Sequence, residues 1–340
     1  MAINQEGGLK MKKLVSLILV LMFTFSIYSV TMAETQTIRV NEVTHSVFYA
    51  PQYVALNLGL FEKHGLNVEL TNSQGSDKVM TAILSGQAEI GFAGPETTLY
   101  VYLQGKEDYP QVFAQLTKRD GSFLVGREEE ASFDFKELAG KHVLPGRKGG
   151  MPYMALRYVI EKNGMNPETD MNFDNSISFD AMTGAFLGGV GDYVTIFEPT
   201  ATMVEKEGKG YIVASVGEAA GEIPFTAYFA SRSYLEKHPD VIQNFTDAIY
   251  EAQVWMKEHT AKEIAEVLLP SFMDSDLDVL ETVVGRYQEI DAWNDTPVMT
   301  EEAFYRMQDV MEGAGELMER VPFEAIVVNG FADNSVNKVK

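Results

Sequence analysis

The sequence predicts an α/β protein built from mixed sheets that are flanked by helices. Strand-like and helix-like segments alternate from Thr37 onward, and the same alternation starts again near Ser122. Short apolar strands separated by amphipathic helices are typical of sheets that carry helices on both faces. With 340 residues, the chain is long enough for two lobes, each with its own hydrophobic core.

The first alternation begins with a short strand and an amphipathic helix. Val54, Leu58 and Phe61 fall on one stripe of that helix, and Gly65 suits its end. Strands are predicted in this half at Ile38–Val43, Leu66–Leu70, Ala88–Gly94 and Gln111–Leu116, and its later helices are predicted to begin at Asp77 and Pro95.

The second alternation repeats this order and then gives way to helices. After Tyr228 the chain is predicted to be helical, with breaks, to about Met318. Strands are predicted here at Ser122–Glu128, Lys141–Gly146, Asn175–Phe179, Asp192–Phe197 and Tyr211–Val216, with helices at Pro152–Asn163 and Met182–Leu187.

Matching phrases in the two halves favour two similarly built lobes. A helix end reading "EKHGLN" is matched by "EKNGMN", and "IGFAGPETT" (Ile90–Thr98) is matched by "YVTIFEPTAT" (Tyr193–Thr202). A single match of this kind is explained by the usual way in which exposed helices end. Several in the same order place Glu96 and Glu198 at equivalent strand ends.

The N-terminal residues read as a secretory signal peptide. Three lysines between residues 10 and 13 precede an uncharged run from Leu14 to Val30, and the small-residue segment Thr31–Ala33 follows. We therefore predict cleavage after Ala33, with residues 1–33 as the signal peptide. The alternative is an N-terminal segment that is retained as a membrane anchor.

Composition excludes several classes of site. The chain has no cysteine, which excludes disulfides, thiolate catalysis, iron–sulfur clusters, thiolate zinc sites and a lipid-modified cysteine. The net charge is −22, and it is about −24 without residues 1–33, which carry three lysines and one glutamate. So acidic a surface argues against nucleic acid as a partner.

Ligands of parallel sheets bind beyond the carboxyl ends of the strands, beside helix N-termini. His45, Phe48, Tyr49 and Tyr53 crowd one such strand end, where their rings suit stacking on a planar ligand. Phe48 and Tyr53 are equally suited to packing the helix on its sheet. The segments predicted to reach this rim are His45–Gln52, Gln74–Asp77, Gly94–Thr98, Pro145–Pro152, Phe179–Asp180 and Phe197–Thr200.

Glu96 and Glu198 are the sharpest candidates for chemistry at this rim. Each acid also has a purely structural explanation, because a carboxylate is favoured in the first turn of a helix. Facing each other across a cleft, the two would accept hydrogen bonds from an amine or aminopyrimidine. Arg119, Arg147 and Lys148 point instead to an anionic ligand, although "GRKGG" is also typical of a solvated turn.

Motifs of hydrolases, metal sites and nucleotide sites are absent from the sequence. The five histidines are scattered, and neither HExxH nor GxSxG occurs. "PGRKGGM" lacks the spacing and the Ser or Thr of a phosphate-binding P-loop, and no GxGxxG follows the first strand. We therefore expect no metal, no cofactor and no catalytic residue.

Three longer segments resemble a known family. "FYAPQYVALNLGLFEKHGLNVEL", "GSDKVMTAILSGQAEIGFAGPE" and "GDYVTIFEPTATMVEKEGKG" are similar to the substrate-binding proteins of ABC importers for nitrate, sulfonates, taurine and the thiamine pyrimidine precursor. The resemblance implies a two-lobed periplasmic-binding-protein fold with two crossover strands, near Thr117–Ser122 and Gly217–Tyr228. Lobe 1 would then comprise residues 37–117 and 227–330, and lobe 2 residues 118–226.

The resemblance and the rim argument select the same loops for the ligand. The predicted ligand-binding residues are His45, Phe48, Tyr49, Gln52, Gln74, Ser76, Pro95, Glu96, Thr97, Gly149, Gly150, Met151, Phe179, Glu198 and Tyr228.

The resemblance implies an exported, extracytoplasmic or periplasmic solute-binding protein that is not an enzyme. We expect a monomer that binds a small planar, nitrogen-containing solute, such as a thiamine pyrimidine precursor, and presents it to a membrane permease. One alternative is a binder of sulfonate, taurine or nitrate. Another is an enzyme on the same fold that resembles a pyrimidine synthase, although that activity depends on a cysteine-rich motif and this chain has no cysteine.

Overall fold

The computed structural model describes residues 35–130 and 132–339. The predicted signal peptide, residues 1–33, lies outside the described residues. The described strands are β1 Gln36–Glu42, β2 Leu66–Asn72, β3 Ile90–Ala93, β4 Pro110–Thr117, β5 Ser122–Gly126, β6 His142–Leu144, β7 Asn172–Phe173, β8 Tyr193–Phe197, β9 Tyr211–Ser215 and β10 Thr226–Ser231.

Helices fill most of the remaining described chain. They are α1 Ala50–Asn57, α2 Leu60–Lys63, α3 Ser76–Leu84, α4 Glu96–Leu103, α5 Met151–Lys162, α6 Met182–Leu187, α7 Thr200–Lys206, α8 Val216–Ala220, α9 Arg232–Lys237, α10 Pro239–Lys257, α11 Ala261–Leu268, α12 Leu277–Glu289, α13 Glu301–Gly313, α14 Phe323–Ile326 and α15 Gly330–Val339. Short 3-10 turns occupy Val47–Tyr49, Phe135–Leu138, Phe179–Ala181 and Leu269–Ser271.

The strands form two five-stranded mixed sheets, which confirms the predicted α/β class. The first sheet has the order β2-β1-β3-β10-β4, and the second has the order β7-β6-β8-β5-β9. In the first sheet β1 runs parallel to β2 and β3, and β10 is antiparallel to β3 and β4. In the second sheet β6 is parallel to β7 and β8, and β5 is antiparallel to β8 and β9.

The chain passes between the two sheets twice. It leaves the first sheet after Thr117, enters the second at Ser122, and returns between Ser215 and Thr226. The first passage runs against the ring of Phe48, because a Cβ on Gly121 would lie 2.4 Å from that ring. Glycine at residue 121 therefore permits the close approach of the two halves at this passage.

Aromatic packing fixes the middle of the first sheet. The four residues of β3 are all buried, and Phe92 stacks on Tyr228 of the neighbouring β10 at 4.3 Å between ring centroids. Phe245 of α10 meets the Tyr228 ring edge-on at 5.0 Å. Each such buried ring contributes about 1.5–3 kcal/mol through burial alone, so the sheet and the C-terminal helices share one core.

The second sheet differs from the sequence prediction at its edge strand. A strand was predicted at Asn175–Phe179, but only Asn172 and Phe173 pair with β6. Asp174 ends the strand because its carboxylate accepts hydrogen bonds from the backbone N–H and the hydroxyl of Ser176, at 2.9 and 2.6 Å. This local turn competes with further pairing along the sheet.

Candidate functional site

A cavity of about 70 Å³ lies between the two sheets. Its walls come from the residues that follow β1, β3 and β6, from the end of β8, from the N-termini of α3 and α5, and from the start of β10. The lining residues are Val43, Thr44, Tyr49, Gly75, Ser76, Gly94, Glu96, Arg147, Gly150, Met151, Pro152, Phe179, Phe197, Phe225 and Thr226.

Aromatic rings supply much of the cavity wall. The Phe197 ring lies 5.9 Å from Phe179 and 6.2 Å from Phe225, between ring centroids. Tyr49 is held in place by an edge-on contact with Phe92 at 4.6 Å. Flat apolar faces held by packing from behind are suited to a planar ligand.

Glu96 is the acidic side chain of this cavity. It stands at the first position of α4, directly after the turn that ends β3, and it is only 1% exposed. Its Oε2 atom is buried and has no hydrogen-bond partner. Burial raises the pKa of the Glu96 carboxyl to about 8, although the N–H groups of Glu96 and Met151 and the charge of Arg147 oppose that rise.

Glycine at residue 94 gives this carboxyl its position. A Cβ on Gly94 would lie 2.0 Å from Oε2 of Glu96 and 2.5 Å from Oε1. Real Cβ atoms never come that close, so the carboxyl folds back on the chain only because the side chain of residue 94 is a hydrogen. The turn between β3 and α4 therefore places a poorly solvated acceptor at the cavity wall.

One basic side chain, Arg147, reaches the same cavity from the second half of the protein. Arg147 lines it and lies 3.7 Å from Asp77 across the cleft, between Nη2 and Oδ1. Gly150 and Met151 also line it, at the N-terminal end of α5. The two other basic candidates are paired elsewhere: Arg119 with Glu222 and Asp291, and Lys148 with Glu316.

Six of the residues predicted from the sequence meet at this cavity. They come from both sheets, as a site between two lobes requires, and their contact with a ligand stays a prediction. The six are Tyr49, Ser76, Glu96, Gly150, Met151 and Phe179.

Three further candidates belong to a polar network around Glu42, in which Gln52 and Tyr228 are buried and His45 is exposed. Gln52 donates to Glu42 at 2.8 Å and accepts from the hydroxyl of Tyr228 at 3.1 Å, so both ends of its amide are occupied. His45 contacts the Tyr53 hydroxyl through Nδ1 and the Ser271 carbonyl through Nε2, both at 2.8 Å. The structure does not place these three residues at the cavity wall.

The remaining candidates also lie off the wall. Phe48 is fully buried and packs on Tyr287 at 5.2 Å, and Gln74 is exposed with a φ of 55°. The hydroxyl of Thr97 donates to the Gly94 carbonyl at 2.8 Å, and the carbonyl of Gly149 accepts from Tyr100 at 3.1 Å. Pro95 is the buried N-cap of α4.

Other residues of the protein already bind the carboxylate of Glu198. Its carboxylate accepts from the backbone N–H and the hydroxyl of Thr202, both at 2.8 Å, and from Nη1 of Arg286 at 2.9 Å. Thr202 lies in the first turn of α7, and Arg286 belongs to α12 in the C-terminal helices. Both oxygens of Glu198 therefore already have donors, in an ion pair between the two halves, and its contact with a ligand stays a prediction.

Sequence reasoning missed residues that the second passage brings to the cavity. Phe225 and Thr226 lie where the chain re-enters the first sheet, and Thr44 follows β1 directly. It also missed Asp120, whose carboxyl is 2% exposed and whose Oδ2 atom has no partner. Burial raises the pKa of Asp120 to about 7. The predicted crossovers were a usable signal, because residues there join both walls.

Two absences apply to residues 35–130 and 132–339. In that part of the chain no three His, Asp or Glu side chains are grouped so that they could hold a metal ion. Within the same ranges no helix is both long and apolar enough to cross a membrane.

Comparison with known proteins gives a family and two relatives. The model of the NMT1-like family matches residues 34–269. YtlA of Bacillus subtilis (strain 168), whose name describes it as a binding protein, is 42% identical over 310 residues, which cover 91% of this chain and 93% of that protein. The 4-amino-5-hydroxymethyl-2-methylpyrimidine phosphate synthase of Schizosaccharomyces pombe is 22% identical over 240 residues, 65% of each chain.

A solved structure supports the fold. The alkanesulfonate-binding protein SsuA of Xanthomonas axonopodis pv. citri, bound to MOPS, superposes with a TM-score of 0.71 at 17% identity. The superposition covers 88% of this chain and all of that one. The likeness confirms the predicted fold of a periplasmic binding protein.

Proposed function

We propose that this chain, which belongs to the NMT1-like family, is the exported solute-binding protein of an ABC importer and closes two lobes over a small planar, nitrogen-containing solute. A thiamine pyrimidine precursor is a solute of this kind. The single observation that carries the proposal is the buried Glu96 carboxyl, with one oxygen unpartnered, in a cavity walled by aromatic rings. Family membership confirms the resemblance to ABC-importer substrate-binding proteins that the sequence motifs indicated.

The two lobes are proposed to close over the ligand because the cavity walls come from both of them. In this proposal lobe 1 comprises residues 37–117 and 227–330, lobe 2 comprises residues 118–226, and the two passages of the chain act as the hinge. Tyr49 and Glu96 belong to the first lobe, and Met151 and Phe179 to the second. A ligand that contacts both walls at once binds the closed state better than the open state and shifts the population toward it.

The chemistry of Glu96 selects the ligand class. An acceptor that is shielded from water and lacks a donor gains most from a ligand N–H, because the hydrogen bond removes an existing desolvation cost. An amino group on a planar ring supplies such a donor while the ring stacks on Phe179, Phe197 or Phe225. Above its pKa of about 8 the ionised Glu96 carboxylate only accepts hydrogen bonds, and a nitrate or sulfonate has no donor to offer it.

A second candidate function is the binding of a sulfonate, taurine or nitrate. The observation that favours it is Arg147, which lines the same cavity beside the N-terminus of α5. A guanidinium and a helix N-terminus both favour an anion. The solute named for the superposed Xanthomonas protein is also a sulfonate.

An enzymatic function is the less favoured alternative. It is motivated by the distant relative from Schizosaccharomyces pombe, which is named as a pyrimidine phosphate synthase. The chain has no cysteine, and no catalytic constellation or metal group is assembled at the cavity in the described ranges. We propose that the protein is not an enzyme and uses no cofactor.

Export and partners complete the proposal. We propose that residues 1–33 direct the chain out of the cytoplasm and that the mature protein acts as a monomer. It has no cysteine that could carry a lipid anchor. Its partners are the small solute and the membrane permease to which the closed lobes deliver it, and nucleic acid is not among them.

Calorimetric titration of the purified protein tests the ligand class. The titrants are 4-amino-5-hydroxymethyl-2-methylpyrimidine, taurine and nitrate, each checked by thermal shift. A ligand at a hundredfold excess over its dissociation constant adds about 2.7 kcal/mol to the free energy of unfolding.

We expect the pyrimidine to stabilise the protein and the two anions to leave it unchanged. Stabilisation by taurine or nitrate alone would favour the second candidate function. Conversion of the pyrimidine to a new product during the titration would contradict a binding role.

A further inference from the structure

A second cavity of about 160 Å³ adjoins the first. The two share Thr44, Phe179 and Phe197 as lining residues, so the aromatic pair forms the partition between them. We call this second cavity the hydroxyl compartment, because five of its lining residues carry hydroxyl groups. These are Thr44, Ser46, Thr183, Thr195 and Thr200.

Thr195 is the observation that points to a ligand in this compartment. It lies in β8, is 2% exposed and lines the cavity, and its Oγ1 atom is buried without a hydrogen-bond partner. A buried hydroxyl without a partner carries a desolvation cost that the fold leaves uncompensated. The Ser46 hydroxyl contrasts with it, because it donates to the Glu198 carbonyl of the same cleft.

The charges around the compartment define what it accepts. Its lining contains Asp180, Glu198 and His45 but neither lysine nor arginine. Glu198 is already paired with Arg286, and the hydrogen bond from Ser178 lowers the pKa of Asp180, so Asp180 remains ionised. The compartment therefore suits a neutral hydroxyl or a protonated amine and disfavours a carboxylate or phosphate.

We infer that the ligand has two parts: a planar head in the aromatic cavity and a hydroxyl- or amine-bearing substituent in the hydroxyl compartment, where it hydrogen-bonds Thr195. This inference rests on the proposed function. It adds the substituent of the ligand and the residue that recognises it, Thr195. The three shared lining residues place the two cavities side by side, within the length of one small molecule.

Matched pairs of probes test the inference. The first pair is 4-amino-5-hydroxymethyl-2-methylpyrimidine and 4-amino-2,5-dimethylpyrimidine, which differ in one hydroxyl. The second pair, isethionate and ethanesulfonate, makes the same comparison for an anionic head. Each is titrated into the wild type, Thr195→Val, Thr195→Ser and the control Thr246→Val, whose buried hydroxyl already donates to the Ile242 carbonyl.

We expect the hydroxyl-bearing pyrimidine to bind the wild type about five- to tenfold more tightly than its dimethyl partner, the usual effect of one hydrogen bond. Thr195→Val should abolish that preference, whereas Thr195→Ser and Thr246→Val should keep it. Equal affinities in the wild type, or a preference that survives Thr195→Val, would overturn the inference and leave the proposed function standing.

Two other outcomes separate the inference from the proposed function. Binding by the sulfonate pair alone would overturn the planar nitrogen-bearing head. Only the part of the inference that concerns the substituent would then hold, if isethionate showed the Thr195-dependent preference over ethanesulfonate, and the whole inference would fail if it did not. Binding by none of the four probes would overturn both. If Thr195→Val does not fold, Thr195→Ala takes its place, because alanine also lacks the hydroxyl and should likewise abolish the preference.

Discussion

Glu96 and Glu198 occupy equivalent strand ends in two similarly built halves, yet the structure gives them different surroundings. Glu96 lies at the wall of the aromatic cavity, and its Oε2 atom has no partner. Glu198 accepts hydrogen bonds on both oxygens, from Thr202 and Arg286. One oxygen of Glu96 therefore lacks a hydrogen-bond donor, whereas both oxygens of Glu198 already have donors.

The difference comes from residues that lie far away in the chain. Arg286 belongs to α12, which follows both sheets in sequence and packs against α7. It also bonds Glu205, so it joins the C-terminal helices to the second half of the molecule. Within the described part of the chain, the Oε2 atom of Glu96 has no such partner. A shared local motif thus positions an acid but does not determine its partner, and only the partner separates a structural acid from a binding acid.

The largest effect is expected from breaking the Glu198 pair. Arg286→Met leaves Glu198 buried, with Thr202 as its remaining partner, and should lower the free energy of unfolding by about 3–5 kcal/mol. Urea denaturation measures it. The matched control is Arg306→Met, whose partner Glu302 is 82% exposed, and it should cost less than about 1 kcal/mol. If Arg286→Met cost no more than the control, the Glu198–Arg286 pair would not contribute to folding stability.

Displacing Glu96 through its backbone neighbour should have the next largest effect. In Gly94→Ala the new methyl group would occupy the space of the carboxyl, which must then move into the cavity. We expect at least about a tenfold loss of affinity for 4-amino-5-hydroxymethyl-2-methylpyrimidine, or roughly 1.4 kcal/mol. Gly285→Ala is the control, because nothing lies within 4 Å of its Cβ position. Unchanged affinity in Gly94→Ala would separate the carboxyl from the ligand.

The burial of Glu96 and Asp120 should give folding stability a pH dependence that is measured without any ligand. Burial raises the pKa of Glu96 from 4.5 to about 8 and that of Asp120 from 3.8 to about 7. Each therefore stabilises the folded state most when protonated, below its unfolded pKa, and loses that contribution as the pH rises through its folded pKa. Between pH 4.5 and 7 each acid should lower stability by up to about 1.4 kcal/mol per pH unit.

Chemical denaturation across this pH range checks the slope. The double variant Glu96→Gln, Asp120→Asn should show a flatter dependence than the wild type, because neither replacement titrates. A double variant with the wild-type slope would mean that neither acid is buried as the structure places it.

The smallest effect is expected at Gln74, a residue that the sequence selected and the cavity does not include. Gln74→Ala should change ligand affinity by less than about 0.5 kcal/mol, because the side chain is exposed and off the wall. A calorimetric loss of tenfold or more would place Gln74 back in the site.

The sequence was sufficient for the sheets because their signals are local. Alternation of strands and helices, with turns at Gly65 and Gly86, predicted most elements of both sheets to within a few residues. The strand predicted at Asn175–Phe179 failed because the Asp174 side chain captures the backbone there.

The site was less predictable because its contacts are not local. Phe225 and Thr226 reach the cavity only through the return passage between the sheets. Gln52 and Tyr228 were selected as ligand contacts, but they bond each other across the first sheet, 176 residues apart in the chain. No local pattern in the sequence predicts this hydrogen bond.

The most direct test is a side-by-side calorimetric titration of Glu96→Gln and Glu198→Gln with 4-amino-5-hydroxymethyl-2-methylpyrimidine. At about pH 9, above the pKa of about 8 that burial gives Glu96, the wild type offers a carboxylate, and losing its charge-assisted hydrogen bond costs about 1.5–3 kcal/mol. At that pH Glu96→Gln should therefore bind at least tenfold more weakly than the wild type. Glu198→Gln should keep the affinity within about twofold and lose folding stability instead. The opposite pattern, with affinity lost at Glu198 and kept at Glu96, would contradict the assignment of the binding acid.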